Sequence, residues 1–219
     1  AARGEIDDLT RMLNGNLAKI VEHGRRADSI VKNMLLHSRA GTGERRTANL
    51  NALVEESLNL AYHGARAEKP DFNVTLHRDL DPAIGELDLY PQEITRVLLN
   101  LFGNGFYAVR ERQRSAAEPR FEPSLWVATR AMADRVEIRV RDNGTGIPET
   151  ARAKIFDPFF TTKPAGEGTG LGLSLSHDII VKQHGGSFEV ESEPGEFTEF
   201  IVTLPWATMP AEASTGGAA

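Results

Sequence analysis

The segment that decides the fold reads Arg139-Val140-Arg141-Asp142-Asn143-Gly144-Thr145-Gly146-Ile147-Pro148. From Val136 to Val140 apolar and charged residues alternate, which predicts a half-buried strand that ends at Asp142. A carboxylate at that position can accept a hydrogen bond from an amine, and Gly144 and Gly146 leave room for a flat ligand. By itself the pattern is equally typical of a glycine-rich turn after a strand.

The composition limits the class of protein. A chain of 219 residues, 40% hydrophobic and 26% charged, is long enough for one full domain plus an appended element. The net charge of −6 argues against a nucleic acid or an anionic membrane as the main partner. The absence of cysteine excludes disulfides and thiolate ligands. With no membrane-spanning run and no signal peptide, we expect a cytoplasmic protein, or a fragment of a larger or membrane-anchored one.

The first forty residues carry one apolar stripe. From Glu5 to about Arg39 apolar residues recur every three or four positions without proline, which predicts one long amphipathic helix. At 1.5 Å per residue such a helix is roughly 50 Å long, so we expect it to pack on other helices in a dimeric bundle. A second helix is expected after Asn49, which can cap it.

The remaining chain mixes strands and helices. Strands are predicted over residues 72–77, 125–131, 135–141, 187–191 and 197–204, and helices over 91–113, 151–156 and 171–184. Residues 157–170 are predicted to form a mobile loop, and the tail after Trp206 is expected to be disordered.

Two asparagines lie one turn apart on the predicted 91–113 helix. Asn100 and Asn104 therefore project from one face, among apolar neighbours. Buried amides need partners, and Mg²⁺ with its phosphates would supply them, because Mg²⁺ takes oxygen ligands. Hydrogen bonds to backbone in the core are the alternative.

A glycine-rich run leads into the predicted 171–184 helix. It reads Gly166-Glu167-Gly168-Thr169-Gly170-Leu171-Gly172-Leu173, an arrangement that points N–H groups and a positive helix end at an anion. The run can hold phosphate, act as a hinge, or do both. Lys163 can reach a terminal phosphate or simply be solvated.

Together these residues resemble the sequence boxes of a sensor histidine kinase catalytic domain. The ordered set is Asn100/Asn104, Asp142-x-Gly144-x-Gly146, Phe156-Asp157-Pro158-Phe159-Phe160, Gly168 to Leu173, and Thr198-x-Phe200. The resemblance implies an α/β fold, a histidine-kinase-type ATPase sandwich whose mixed sheet has helices on one face, preceded by a long dimerisation helix. It divides the chain into a partial phosphotransfer bundle (1–47), a catalytic ATP-binding domain (48–206) and a tail (207–219).

The resemblance also implies roles for residues. Asp142 would bind the adenine amine, Asn100 the Mg²⁺, Asn104 and Tyr107 the phosphates, and Thr198 the base through its hydroxyl or a water. Residues 157–170 would form a lid over ATP or ADP. The expected nucleotide site also includes Gly144, Gly146, Ile147, Phe160, Thr162, Lys163, Gly168, Thr169, Gly170, Leu171 and Gly172.

Three features depart from the family pattern. Tyr107 stands where many relatives have lysine. Arg96 stands where related ATP hydrolases have a water-activating glutamate, and Glu93 is two turns from Asn100, which favours transfer to histidine over hydrolysis. Neither His23 nor His37 is followed by an acidic residue, as the family's phosphoacceptor is. We therefore expect His23 to be a partly buried bundle residue and the acceptor histidine to lie upstream of this chain.

The expected activity is that of an ATP-dependent protein histidine kinase. Its partners would be a second copy, through the N-terminal helix, and the receiver domain of a response regulator, with no nucleic acid. Two alternatives stay open, namely a related ATPase or serine kinase, and a nucleotide-sensing module without catalysis.

Overall fold

The computed structural model describes residues 12–17, 19–20, 24, 44–69, 71–115, 121–164 and 167–206. The chain divides into two compact units, one formed by residues 1–42 and 157–171, the other by residues 43–156 and 172–219. In the first unit residues 12–17, 19, 20 and 24 are helical. The rest of the helix predicted over 5–39, and the tail 207–219, lie outside the described residues.

A five-stranded mixed sheet forms the centre of the second unit. The strands of the second unit, in this sheet and in a smaller one, are β1 (Arg46–Asn49), β2 (Thr75–Leu80), β3 (Glu86–Leu89), β4 (Ser124–Ala131), β5 (Arg135–Asp142), β6 (Ser187–Glu193) and β7 (Phe197–Pro205). The sheet order is β2-β4-β5-β7-β6, with β2 parallel to β4 and every other neighbour antiparallel. β1 pairs with β3 in a separate two-stranded sheet, and it begins just before the domain boundary predicted at residue 48.

The first predicted strand is displaced in the structure. Residues 72–77 were expected to be extended, but β2 begins at Thr75 and ends at Leu80. The reason is that Phe72 packs against Phe106 and Tyr62, with ring centroids 5.3 and 6.2 Å away, before the chain reaches the sheet. Because of this aromatic packing outside the sheet, the strand begins three residues later than predicted.

The helices are α1 (Leu50–Glu68), α2 (Pro91–Ser115), α3 (Glu149–Arg152) and α4 (Gly172–His177), the last continued by a π-helical segment, Asp178–Gln183. The predicted cap is confirmed, because the Ala52 N–H donates to Asn49 Oδ1 at 2.9 Å. The helix predicted over 171–184 is present, but its second half is π-helical. There the His184 N–H donates to the carbonyl of Ile179, five residues back, which widens the last turns.

One face of the sheet supplies the core. Val127, Ile138 and Val140 are buried on that face, and α2, whose Leu101 and Phe102 are also buried, packs against their strands β4 and β5. Most residues that point to the other face are more exposed, although Glu137 and Ile201 are buried there. Helices on one face of a mixed sheet agree with the predicted fold class. No helix among the described residues is long and apolar enough to cross a membrane.

Candidate functional site

Asp142 and Thr198 face each other at the end of the sheet. They are directly opposite in the antiparallel β5–β7 pair, on the side that the helices cover, and they are only 3% and 4% exposed. Oδ1 of Asp142 accepts a hydrogen bond from the Gly144 N–H at 2.8 Å. Burial raises the pKa of Asp142 to about 7, although the Gly144 amide and the nearby Arg141 act in the opposite direction. A carboxylate in this position is stabilised by any ligand that donates a hydrogen bond to it.

The two glycines after Asp142 allow backbone segments to approach closely. A Cβ at Gly144 would lie 2.5 Å from Ala108 of α2. Gly146 has φ of 65°, and a Cβ there would lie 2.2 Å from the carbonyl oxygen of Glu193. Sequence reasoning assigned these glycines to ligand clearance, and the structure adds that they let the loop fit between α2 and the end of β6.

Two arginines brace the loops around Asp142 and Thr198. Nη1 of Arg112 donates to the carbonyl of Asn143 at 3.1 Å and to that of Glu196 at 3.0 Å, so α2 holds both loops. Nη2 of Arg152 donates to the carbonyl of Ser192. Sequence reasoning missed both arginines, because their partners are backbone carbonyls distant in the chain and no local pattern marks such contacts.

The side chain of Asn100, a residue of α2, contacts α4. Its Nδ2 donates to Oγ of Ser176 at 3.1 Å, and its Oδ1 would stand 2.1 Å from a Cβ at Gly172. Asn104 follows one turn later, half-buried. Tyr107, on the next turn, has the guanidinium of Arg110 at 5.4 Å from its ring centroid. The second unit therefore carries the predicted Asn100, Asn104, Tyr107, Asp142, Gly144, Gly146, Ile147, Gly172 and Thr198.

The predicted lid belongs to the first unit. Its described site residues are Phe160, Thr162, Lys163, Gly168, Thr169, Gly170 and Leu171. The loop is folded on itself, since the Lys163 N–H donates to Thr161 Oγ1 at 3.1 Å and a Cβ at Gly168 would lie 2.6 Å from the same oxygen. Gly170 has φ of 70° and lies against the backbone of Phe159, itself in the left-handed region with φ of 67°. The glycines thus permit a tight loop that other residues would open.

Comparison with known proteins identifies the family. Residues 90–208, more than half of the chain, match the histidine kinase-, DNA gyrase B- and HSP90-like ATPases. The chain belongs to this ATPase family. The match begins beside α2 and includes Asn100, Asp142, Gly172 and Thr198, so the geometry described above lies within the family's domain.

The relatives place this ATPase among sensor kinases. Sensor protein FixL of Bradyrhizobium diazoefficiens is 32% identical over 204 residues, which cover 93% of this chain and 38% of that protein. Sensor histidine kinase ZraS of Salmonella typhimurium is 35% identical over 159 residues, 73% of this chain and 31% of that protein. The chain therefore spans about a third of the length of these relatives.

A solved structure supports the same assignment. The nucleotide-free catalytic domain of histidine kinase ThkA superposes with a TM-score of 0.62 at 30% identity, covering 75% of this chain and 97% of that one. The chain corresponds to the ATP-binding catalytic portion of a sensor histidine kinase. Its family membership implies that it binds a nucleotide.

The donor set of this ATPase fits Mg²⁺ only together with a nucleotide. Within the part of the chain that the structure describes, no group of three or more acidic or histidine residues could hold a metal ion. Mg²⁺ commonly takes most of its ligands from phosphates and water, with one or two from the protein. The amide oxygen of Asn100, whose Nδ2 is bonded to Ser176, fits such a single protein ligand.

One histidine of the ATPase domain does precede an acidic residue. His177, at the end of α4, is followed by Asp178, a pair that sequence reasoning did not consider. The ring of His177 packs against Phe156 and Phe188, with centroids 5.2 and 6.4 Å away. Asp178 forms an ion pair with Lys182, with 2.8 Å between Oδ1 and Nζ. These contacts give His177 a packing role within the domain.

Proposed function

We propose that this ATPase domain binds Mg·ATP and transfers the γ-phosphoryl group to a histidine of a dimeric phosphotransfer bundle. The observation that carries the proposal is the buried carboxylate of Asp142 opposite the hydroxyl of Thr198. Asp142 at the end of β5 and Thr198 opposite it in β7 form a buried polar pair that suits a partner with hydrogen-bond donors, and the exocyclic amine of adenine is such a partner.

The remaining roles follow from the chemistry of each group. Bound Mg²⁺ would neutralise phosphate charge, and Asn100 would hold it through its amide oxygen. Asn104 and Tyr107 would contact the phosphates from the next turns of α2. Lys163 and the glycine-rich run from Gly168 to Gly172 would cover them as a lid, since backbone N–H groups bind anions. The task of these residues is to position the nucleotide and its terminal phosphate.

The contacts of Arg96 support transfer over hydrolysis. Arg96 lies one turn before Asn100, where a water-activating carboxylate would be needed, and its Nη1 is 3.4 Å from Oε2 of Glu93. Glu93 itself lies two turns before Asn100 and is paired with that cation. A carboxylate so engaged is a poor general base for water, which favours a histidine nucleophile.

The partners of the kinase form part of the same proposal. The apolar side chains of Met12, Leu13, Leu17 and Ile20 are exposed on their helical segment, as a helix that joins a second copy would require. We therefore propose a homodimer through residues 1–47, a catalytic domain over 48–206, a cytoplasmic location and a response regulator receiver domain as the final phosphate acceptor.

A transfer experiment tests the proposal. The chain is incubated with γ-labelled Mg·ATP, with and without a separate bundle domain that carries a histidine followed by an acidic residue. We expect acid-labile, base-stable label on the supplied domain, no histidine label on the chain alone, and no transfer by Asp142→Ala.

Other destinations of the phosphate would contradict it. Release to water as the main product indicates a hydrolase, and acid-stable label indicates a serine kinase. Nucleotide binding without any transfer indicates a sensing module. Histidine label on the chain alone would be traced with His23→Gln, His37→Gln and His177→Gln, and its loss in one of them would locate an acceptor within this sequence.

A further inference from the structure

The hydroxyl of Ser192 is the centre of a three-way contact beside Thr198. Ser192 is 6% exposed and lies opposite Thr198 in the β6–β7 pair. Its Oγ is 2.7 Å from the carbonyl oxygen of Phe197, 2.8 Å from the N–H nitrogen of Ile147 and 3.2 Å from Oγ1 of Thr198. One hydroxyl thus joins β7, the loop after Asp142 and the Thr198 side chain.

The chemistry of these neighbours fixes where each proton lies. The carbonyl of Phe197, which can only accept, is 2.7 Å from Ser192 Oγ and is the closer of its two possible acceptors, so the single proton of Ser192 is donated to Phe197. The Ile147 N–H can only donate, so it takes one lone pair of Ser192. With its own proton committed, Ser192 can engage Thr198 only as an acceptor, and Thr198 must donate. The hydroxyl proton of Thr198 is therefore turned away from Asp142, and lone pairs are what Thr198 presents to a ligand.

We infer that Ser192 is a positioning residue that fixes Thr198 as a hydrogen-bond acceptor, so that the base pocket presents two acceptors and selects a base with an exocyclic amine. The inference rests on the proposed nucleotide site. An amine offers two protons, which Asp142 and Thr198 can share. A carbonyl at the same place on the base would meet an acceptor from each side. Selection against a carbonyl thus depends on a residue that need not touch the base.

The same two strands provide a matched control at their other end. Oγ of Ser187 is 2.8 Å from Oγ1 of Thr203, and these residues are also opposite each other in the β6–β7 register. Ser187→Ala removes a serine–threonine hydroxyl contact of the same type, five residue pairs away from Ser192. The substitution removes a contact between β6 and β7 but leaves the hydrogen-bond donors and acceptors around Asp142 unchanged.

The test compares two ligands that differ in the group to be read. Dissociation constants for Mg·ADP and Mg·IDP are measured by calorimetry, because inosine carries a carbonyl where adenine carries its amine. In Ser192→Ala the Thr198 hydroxyl can rotate and donate to that carbonyl, so we expect the preference for ADP to fall by roughly five- to tenfold, the effect of one hydrogen bond. Ser187→Ala should keep the wild-type preference. In a Thr198→Val background, Ser192→Ala should cause no further change.

The preference ratio separates positioning from a general structural role. If Ser192→Ala only loosened the Ile147 loop, it would weaken the binding of ADP and IDP equally and leave the ratio of their dissociation constants unchanged. That result would overturn the inference. A fall of the ratio in Ser192→Ala that persists in the Thr198→Val background would also overturn it. If Ser192→Ala does not fold, Thr198→Val alone decides, because it keeps the other bonds of Ser192. An unchanged ADP preference in Thr198→Val overturns the inference.

Failure of the proposed function looks different. A wild-type protein that binds no ADP, or an Asp142→Ala protein that binds ADP as the wild type does, refutes the nucleotide site itself. Tight, Asp142-dependent ADP binding with an unaltered ratio in Ser192→Ala refutes only the role of Ser192.

Discussion

Asn100 on α2 donates a hydrogen bond to Ser176 on α4, with 3.1 Å between Nδ2 and Oγ. The contact orients the amide of Asn100, so that its nitrogen is used within the protein and its oxygen remains for other partners. A residue proposed to bind Mg²⁺ is thereby held by the helix that follows the glycine-rich loop.

Gly172→Ala should displace the Asn100 amide. A Cβ at this position would stand 2.1 Å from Oδ1, closer than any real contact, so the amide must rotate and release Ser176. We expect Mg·ADP affinity to fall about tenfold, as loss of one polar contact implies. Calorimetry measures this, with Gly64→Ala as the control, because a Cβ at Gly64 in α1 meets nothing within 4 Å. That control should bind normally and gain about 0.5–1 kcal/mol of stability. Normal affinity in Gly172→Ala would contradict the expectation.

Asn100→Ala should reduce the stabilisation that Mg·ADP gives. At a hundredfold excess over Kd a ligand adds about 2.7 kcal/mol to the free energy of unfolding, and tenfold weaker binding lowers this to about 1.4 kcal/mol. Thermal unfolding with and without Mg·ADP measures the gain. Ser176→Ala is the matched control, since it removes the same hydrogen bond but leaves the amide oxygen in place. It should lose about 1 kcal/mol of stability without ligand, and it should lose less of the Mg·ADP stabilisation than Asn100→Ala does, because the amide oxygen can still reach the ion. If Mg·ADP stabilises Asn100→Ala as much as it stabilises the wild type, Asn100 serves only in helix packing.

Nucleotide binding should release a proton from Asp142 near neutral pH. Burial raises the pKa of this carboxyl to about 7 in the unligated fold, and an amine donor favours the ionised form. ADP affinity should therefore be constant above about pH 7 and fall up to tenfold per pH unit below it. Calorimetry at pH 6.5 in two buffers of different ionisation enthalpy detects the proton. Asp142→Asn should bind more weakly and show no buffer dependence. Identical heats for the wild type in both buffers would refute this prediction.

The same carboxyl affects stability without ligand. Its folded pKa lies above its unfolded value, so its stabilising contribution is complete below about pH 3.8 and is lost as pH rises through about 7. Urea unfolding at pH 5 and pH 7.5 should show that the free energy of unfolding of Asp142→Asn increases relative to that of the wild type as pH rises. A difference between the two proteins that does not change with pH would contradict it.

His184 should make the fold sensitive to acid. Its Nδ1–H donates to the carbonyl of Ile179 at 2.8 Å and its Nε2 accepts the Tyr90 N–H at 3.2 Å, which requires a neutral ring. The residue is 1% exposed, and burial lowers its pKa from the usual 6.5. Its stabilising contribution is thus present above about pH 6.5 and lost as pH falls through the lower folded pKa.

His184→Phe isolates this effect. At pH 7.5 the variant should be less stable by about 1–3 kcal/mol, because the Tyr90 N–H loses its partner, and the gap should narrow at pH 5. Chemical unfolding at the two pH values measures the gap. His77→Phe, at an exposed ring stacked on Trp126, should change stability by less than about 0.5 kcal/mol. A gap for His184→Phe that widens in acid would contradict the prediction.

Local patterns in the sequence predicted the elements that local chemistry dictates. Alternation placed β5 and its terminal Asp142, and the Asn49 cap fixed the start of α1, because pleat and capping depend on residues a few positions apart. The order of short motifs pointed to the ATPase family. Neither β1 nor β3 was predicted, since each has four residues and exists through pairing with the other.

Tertiary structure alone decided how the site is held together. Arg112 bonds to carbonyls 31 and 84 residues away, and Ser192 meets Ile147 across 45 residues. No periodicity records such separations, because they depend on the strand order β2-β4-β5-β7-β6 and not on neighbouring residues. The sequence by itself predicted which side chains bind a nucleotide. The fold decided which protons they present, because a hydroxyl donates or accepts according to neighbours that only folding supplies.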